Sequence, residues 1–315
     1  MERFNTRMQL TSTEAATLLQ VHPSTVKRWC NEGLLAFDTT EGGHRRIHLD
    51  DAVAFARGQD LATVLSPFHP FEPHVWTALR AAEDQGSFRE LHTLAMGWIL
   101  QGENRKLEEL YAAIGRSPAL AFCSFCDEAI RGLMRMVGTA WADGRLRVGE
   151  EHIVSQLMIE VLIRLRTEWL VDIHDPYVSG TDRVAVVGTL EGNHHVIGAL
   201  CVRILLERLG WKVHYLGADV PIDDFGTLQK GRSAQLVCIS LGTDHTVGDI
   251  RRCVTLLGSM YDRSRPYGLV FGGAPRGTPT EDHLSGPFES AQLFGSCAGL
   301  AQGIGSLSPR QSEVR

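Results

Sequence analysis

Apolar positions along the chain change their period twice. Between Thr11 and Ala56 they recur at three- and four-residue spacing in short runs, and between Val75 and Leu170 the same spacing continues in longer ones. From about Thr181, short runs rich in β-branched residues alternate with helical stretches. Spacing of three and four marks an amphipathic helix, whereas a short apolar run bounded by turn residues marks a buried strand. Thr11-Ser12-Thr13-Glu14 offers a cap for a first helix, and a turn at Gln20-Val21-His22 leads to a second that starts at Pro23. Proline suits a first helical turn because its missing N–H is unpaired there anyway. Two short helices joined by a tight turn predict a helix-turn-helix. Gly33 stops the second helix, Asp38 to His48 reads as a hairpin-like wing with a basic arm, and a further helix starts at Leu49 with an Asp available as its cap.

Ser66 to Pro73 carries three prolines in eight residues and reads as a linker. Four helices of bundle length fit the stretch that follows, with breaks near Gly86, Gly102, Pro118 and Gly144. Strand runs are predicted at 184–187, 212–216, 236–240 and 269–271, with a weaker one at 291–294. Strands alternating with helices predict a doubly wound parallel sheet. The expected organisation is a DNA-binding head over 1–63, a linker over 64–74, a helical bundle over 75–175, a Rossmann-like domain over 181–305 and a frayed tail over 306–315. The fold class is multidomain, α and α/β.

Composition narrows the function classes. A net charge of −6 over 315 residues excludes a protein that coats nucleic acid or anionic membrane by bulk charge, but leaves room for a local basic surface. No run reaches the roughly 18 apolar residues of a membrane span, and the N-terminus lacks a signal-peptide core, so a cytoplasmic protein is expected. Seven scattered cysteines do not suggest a disulfide framework. Cys123 and Cys126 form a lone C-x-x-C within a helical pattern and read as core packing.

Two regions carry candidate chemistry. Thr25, Lys27 and Arg28 lie early in the second helix of the helix-turn-helix, the part that meets base edges in a major groove. His44, Arg45 and Arg46 on the wing suit phosphate or minor-groove contacts to double-stranded DNA. Residues 1–57 hold seven Lys and Arg against seven Asp and Glu, so the head is not basic overall, but four of its cations sit on these two elements. The second region is the loop Asn193-His194-His195, which follows a predicted strand and precedes a helix. It places an imidazole at the carboxyl end of a parallel strand, where open α/β sheets bind ligands. Gly198 removes a side chain as that helix begins.

Several of these stretches resemble known families. Thr13-Glu14-Ala15-Ala16, Val26-Lys27-Arg28-Trp29, Gly33-Leu34-Leu35 and Gly42-Gly43-His44-Arg45-Arg46-Ile47 resemble the MerR-type winged helix-turn-helix head. His195 with Gly198 three residues later, the strand end Tyr215-Leu216-Gly217-Ala218-Asp219-Val220-Pro221, Ser240 at the end of the third strand, and Gly272-Gly273 at the end of the fourth resemble the cobalamin-binding module. Trp141, followed after nine residues by Glu151-His152, resembles the helical cap of CarH/LitR-type light-responsive, cobalamin-dependent repressors. The resemblance implies adenosylcobalamin as cofactor, with His195 as the lower cobalt ligand. Ser240, Gly272 and Gly273 then lie along the nucleotide tail, and Trp141, Glu151 and His152 near the upper face.

The same resemblance implies a non-enzymatic transcriptional regulator, expected to repress, that binds operator DNA as a homo-oligomer, dimer or tetramer, without a membrane. Two positions depart from the pattern. Asn193 stands where the family has an acid, so it can accept an imidazole N–H bond but adds no charge. Ala142 stands where a second, upper His is often found and offers no donor atom. Three alternatives remain open: a sensor of the same fold holding a biliverdin-type bilin or haem, a corrinoid-carrier subunit of an enzyme system, and a cofactor-free regulator.

Overall fold

The computed structural model describes residues 8–172 and 182–307. The chain divides into two compact units, Met1–Ala119 and Leu120–Arg315. In the first, a short strand β1 (Gln9–Leu10) leads into α1 (Ser12–Leu18). Thr11 caps α1 through the Glu14 N–H while the Glu14 carboxylate accepts the Thr11 N–H, so two otherwise unpaired donors are satisfied reciprocally. After a turn with Gln20 at φ +54°, α2 (Pro23–Asn31) begins with Pro23 in its first turn. The helix-turn-helix predicted from spacing is present.

β2 (Asp38–Thr39) and β3 (Arg45–His48) form the expected wing, and β1 adds a third strand on the other side of β3. β1 is too short to be seen in the hydrophobic pattern. α3 (Leu49–Gly58) follows with His48 at the cap position and no side-chain cap bond; Asp50 and Asp51 sit in its first turn instead, where they favour the helix dipole.

The segment read as a linker is packed rather than loose. Ser66–Phe68 forms a 3-10 turn, Leu65 and Phe68 are fully buried, and Phe68 stacks on Trp98 with ring centroids 5.9 Å apart. The prolines end regular structure, but the apolar residues between them still find a core. Glu72, 5% exposed, opens α4 (Glu72–Gln85) and pairs with Arg57 at the end of α3 and with His69. α5 (Arg89–Gln101) and α6 (Asn104–Gly115) complete this unit. Gly86 and Gly102 end α4 and α5 in the left-handed region, as the expected breaks require.

The second unit opens with a continuous helical stretch: α7 (Phe122–Ser124), a π-helical turn (Phe125–Ile130) and α8 (Arg131–Ala142). α9 (Val148–Asp172) is the longest helix described. The helical region thus falls into α4–α6 in the first unit and α7–α9 in the second.

After residue 182 come five parallel strands: β4 (Val184–Leu190), β5 (Lys212–Val220), β6 (Leu236–Ser240), β7 (Gly268–Gly272) and β8 (Ser290–Phe294), in the order β5-β4-β6-β7-β8. α10 (Ile197–Arg208), α11 (Ile222–Arg232), α12 (Val247–Ser259), the short α13 (Glu281–Leu284) and α14 (Cys297–Leu307) connect or follow them. All five predicted strands are present, longer at the carboxyl ends of the first two. Phe225 of α11 and Ile250, Val254 and Leu257 of α12 pack with Val186, Val237, Ile239, Leu269 and Phe271 into one core. The tail expected from residue 306 lies, beyond Leu307, outside the described residues.

Charged groups bind the helices of this unit to the sheet domain. Glu207 of α10 is fully buried; its carboxylate accepts from Arg166 of α9 at 2.7 Å and from Arg203 at 3.1 Å. Asp127, in the π turn, caps α14 by accepting the N–H groups of Cys297 and Ala298 at 2.9 and 3.0 Å. Replacing Glu207 by Ala is expected to destabilise the protein by about 3 kcal/mol, because two guanidinium groups lose their buried partner. Chemical denaturation of the full chain measures this, and a change below about 0.5 kcal/mol contradicts a buried pair.

Candidate functional site

The order β5-β4-β6 places the chain reversal of the sheet between β4 and β6, and ligands of such folds bind outside the carboxyl ends of the strands at that point. Pairing sets Thr189, Ser240 and Gly272 opposite one another across β4, β6 and β7. Gly198, in the first turn of α10, is exposed, and a Cβ added there would lie 3.5 Å from the Ser240 hydroxyl. A Cβ at Gly272 would meet nothing within 4 Å. Gly273 has φ +111°, and a Cβ there would lie 2.5 Å from the Leu241 carbonyl oxygen. Small residues therefore leave an open row along this edge, where side chains would otherwise stand.

His195 lies in a loop held on two sides. Asn193, 2% exposed, donates from its amide to the Ser240 carbonyl at 3.2 Å and accepts the His195 backbone N–H at 3.0 Å. Its amide is thus engaged with the loop backbone; no described bond joins it to the imidazole. On the β5 side, the strand register slips near Gly188, and Asp219 adopts φ +57°. The Asp219 carboxylate accepts the Gly192 N–H at 2.7 Å, and its own N–H donates to the Thr189 hydroxyl at 2.9 Å and the Asn193 carbonyl at 3.1 Å. The bulge re-aims the end of β5 so that this contact forms. His195 and His194 are both exposed, and no described residue bonds to the His195 ring.

On the β6 side, α12 begins with a capping box. The Asp249 carboxylate accepts from the Thr246 N–H at 2.8 Å and its hydroxyl at 2.9 Å, and the backbone bond is the main cause holding that carboxyl below its ordinary range. The residue before it, His245, is 8% exposed and bridges the two loops. Sequence reading missed His245 and Thr189, because nothing in local periodicity marks a residue whose partners lie on another strand.

Trp141 ends α8 and is 51% exposed. Glu151, on the first turns of α9, lies 2.6 Å from His152 Nδ1 and also accepts from the Ser155 hydroxyl at 2.6 Å. Glu150 instead caps the helix by accepting the Arg147 N–H at 2.7 Å, so Glu151 is the acid held in a side-chain cluster. The C-x-x-C is split by environment. Cys126 is buried against Cys201 and Cys297, and burial pushes its thiol up, while Cys123 is half-buried. Among the described residues no group of side chains is arranged to hold a metal ion by itself. A shallow depression on α12 is lined by Arg251, Arg252, Thr255 and Leu256.

In the first unit, Lys27 and Arg28 are exposed on α2 and Thr25 is half-buried. Arg28 faces Glu32 at 4.0 Å on an open surface, a pair of little energetic consequence. Arg45 is braced: it donates to the Asn31 side chain at 2.7 Å and stacks 5.3 Å above the Phe37 ring. Arg46, half-buried, donates to the Arg45 carbonyl at 3.2 Å, and His44 is exposed at the wing tip. Trp29 packs on Phe55 with centroids 5.0 Å apart and ties α2 to α3.

These features agree with what the chain is similar to. Residues 10–60 match the helix-turn-helix domain family, and residues 98–166 and 183–286 each match a B12 binding domain family. The chain belongs to the proteins that join a helix-turn-helix to B12 binding domains, and the likeness to CarH-type regulators read from the sequence is upheld. It is 30% identical over 168 residues to the HTH-type transcriptional repressor CarH of Myxococcus xanthus, covering 53% of this chain and 51% of that one. It is 36% identical over 144 residues to dimethylamine corrinoid protein 2 of Methanosarcina mazei, covering 45% of this chain and 64% of that one. The chain thus spans about half to two thirds of these curated relatives. In fold it is similar to the Methanosarcina barkeri monomethylamine corrinoid protein, with a TM-score of 0.53 at 16% identity over 67% of this chain and 94% of that one. No described helix is long and apolar enough to cross a membrane.

Gly273→Ala is expected to cost about 2 kcal/mol or more, since it combines a left-handed backbone with a clash against a carbonyl. Thermal unfolding without and with cobalamin measures it; an unchanged midpoint in both contradicts the close approach.

Proposed function

We propose that the chain is a transcriptional regulator that binds operator DNA through its head and senses light through adenosylcobalamin. The observation that carries this reading is the exposed His195, held by a pinned loop at the reversal point of the sheet, beside the open row Gly198-Ser240-Gly272, in a chain that also holds a helix-turn-helix. The residues fit a corrinoid in kind: an exposed imidazole on the loop after β4, and small residues at the neighbouring strand ends where added Cβ atoms would take up space. Bound there, the cofactor supplies a cobalt–carbon bond that light can cleave.

The chain's own groups do the rest. His195 would supply the imidazole that holds the cobalt, and Asn193 keeps its loop in place by bonding the backbone on both sides. Ser240, Gly272 and Gly273 let the nucleotide tail lie against backbone. Trp141 would cover the bound cofactor on the side away from His195, and Glu151 and His152, which form a hydrogen-bonded pair, would hold its adenosyl group. Ala142, exposed at the end of α8, has no donor atom, so retention of the cofactor after illumination would rest on His195. The protein acts as a ligand-biased switch rather than an enzyme, its homo-oligomer gripping DNA in one state and releasing it in the other.

The wing and α2 carry distinct tasks in DNA binding. Lys27 is proposed as a phosphate contact and Arg45 as a contact whose direction is set by Asn31 and Phe37. Lys27→Ala is expected to weaken binding across sequences and to lower the salt slope by about one. Asn31→Ala is expected to weaken binding without lowering that slope, because it removes a brace and no charge. Titrations of operator DNA at several salt concentrations separate the two, and equal slopes for wild type and Lys27→Ala remove Lys27 from the interface.

The cofactor reading is tested by mixing the full chain with adenosylcobalamin and recording visible spectra and operator binding before and after illumination. Wild type is expected to bind cobalamin, to change spectrum in light and to lose DNA affinity. His195→Ala is expected to keep its fold and lose the imidazole-ligated spectrum. A wild-type chain that ignores cobalamin but takes up biliverdin or haem overturns the reading in favour of another tetrapyrrole, and equal DNA binding with and without any cofactor favours a cofactor-free regulator.

A further inference from the structure

We infer that His245 is the positioning residue of the His195 loop, a role that rests on the cobalamin reading above for its functional meaning. His245 sits just before α12, after β6, and its ring is buried between the two loops that flank the reversal point of the sheet. Nδ1 accepts the Gly242 backbone N–H at 3.1 Å, within its own loop. Nε2 lies 3.0 Å from the Glu191 carbonyl oxygen, at the start of the loop that carries His195. An N–H donor on one side and a carbonyl acceptor on the other require a neutral ring protonated at Nε2. No other protonation state satisfies both partners.

The base of this bridge is tied by backbone bonds. The His245 carbonyl accepts the Arg276 N–H at 2.7 Å, the Arg276 guanidinium donates to the Thr243 carbonyl at 3.1 Å, and the Thr246–Asp249 capping box holds the following residue. The loop on the other side has further anchors: Asn193 on Ser240, Asp219 on Gly192, and the Asn193 carbonyl, which accepts from the Asp219 N–H and the Thr189 hydroxyl. His245 is the one that reaches Glu191, where the chain leaves β4. The Glu191 side chain pairs with Arg252 at 2.6 Å on an exposed surface, where such pairs contribute little. A ligating imidazole must stand within a fraction of an ångström of its place, and residues that bond its support set that place. His245 therefore locates His195 without touching the cofactor.

The test uses the full chain and three substitutions. Asn at 245 keeps an acceptor near Nδ1 but does not reach Glu191; Gln places an amide N–H near the Nε2 position; Ala removes both. In the cofactor-free protein, amide exchange at 192–195 is expected to quicken about tenfold or more in His245→Ala and His245→Asn, and to be partly restored in His245→Gln. With cobalamin added, these proteins are expected to bind it with a smaller imidazole-ligated fraction, read from the nitrogen coupling in the electron paramagnetic resonance spectrum of the reduced cobalt(II) form. Unchanged exchange together with an unchanged imidazole-ligated fraction in His245→Ala overturns the inference. If Ala fails to fold by circular dichroism, the contrast between Asn and Gln decides. If wild type shows no imidazole ligation, the cobalamin reading fails, and the exchange measurement alone judges His245.

Discussion

Parallel pairing sets the position of everything else in the sheet domain. Thr189, Ser240 and Gly272 stand opposite one another because β4, β6 and β7 run in one direction with an unbroken register. Their carboxyl ends therefore open on the same side, and the loops leaving them converge on one strip. Thr189 faces inward and bonds the loop, Ser240 offers its carbonyl to Asn193, and Gly272 accepts the Leu241 N–H. Main-chain groups that would otherwise be unpaired at strand ends become the anchors of the His195 loop. A buried polar network of this sort is stable only when each member is satisfied, and here the amide of Asn193 and both nitrogens of His245 are.

The second recurring feature is the use of charge to attach helices. Glu207 draws Arg166 of α9 onto α10, Asp127 caps α14 from the π turn, and Arg208 lies 5.0 Å from the Trp169 ring and 5.3 Å from that of Phe122. In the first unit, Glu72 joins Arg57 of α3 to the start of α4, and Arg45 is held between Asn31 and Phe37. These contacts are made by side chains distant in sequence. They give each unit rigid internal joints, which a switch needs if a change at one face is to move another element.

Much of this was legible in advance because it is local. The helix-turn-helix follows from two helical runs, a cap at Thr11 and a proline at 23; the five strands follow from short β-branched runs bounded by turns; Gly86 and Gly102 fall where the periodicity stops. The wing arginines were legible as cations but not as a brace, since Asn31 and Phe37 come near Arg45 only when β3 folds back beside α2. The prolines of 66–73 were legible as breaks but not as part of a core, because burial of Phe68 depends on Trp98, thirty residues later.

By itself the sequence determined the order of elements, the parallel sheet, and an imidazole and small residues at strand ends, since each rests on residue type and spacing within one segment. Only the tertiary structure decided that Glu151 rather than Glu150 faces its neighbours, that Asn193 is engaged with the loop backbone, and that His245 bridges two loops. Those outcomes depend on which backbone groups from separate strands come within hydrogen-bond reach, and that is set by strand register and the bulge near Gly188, which no local pattern encodes.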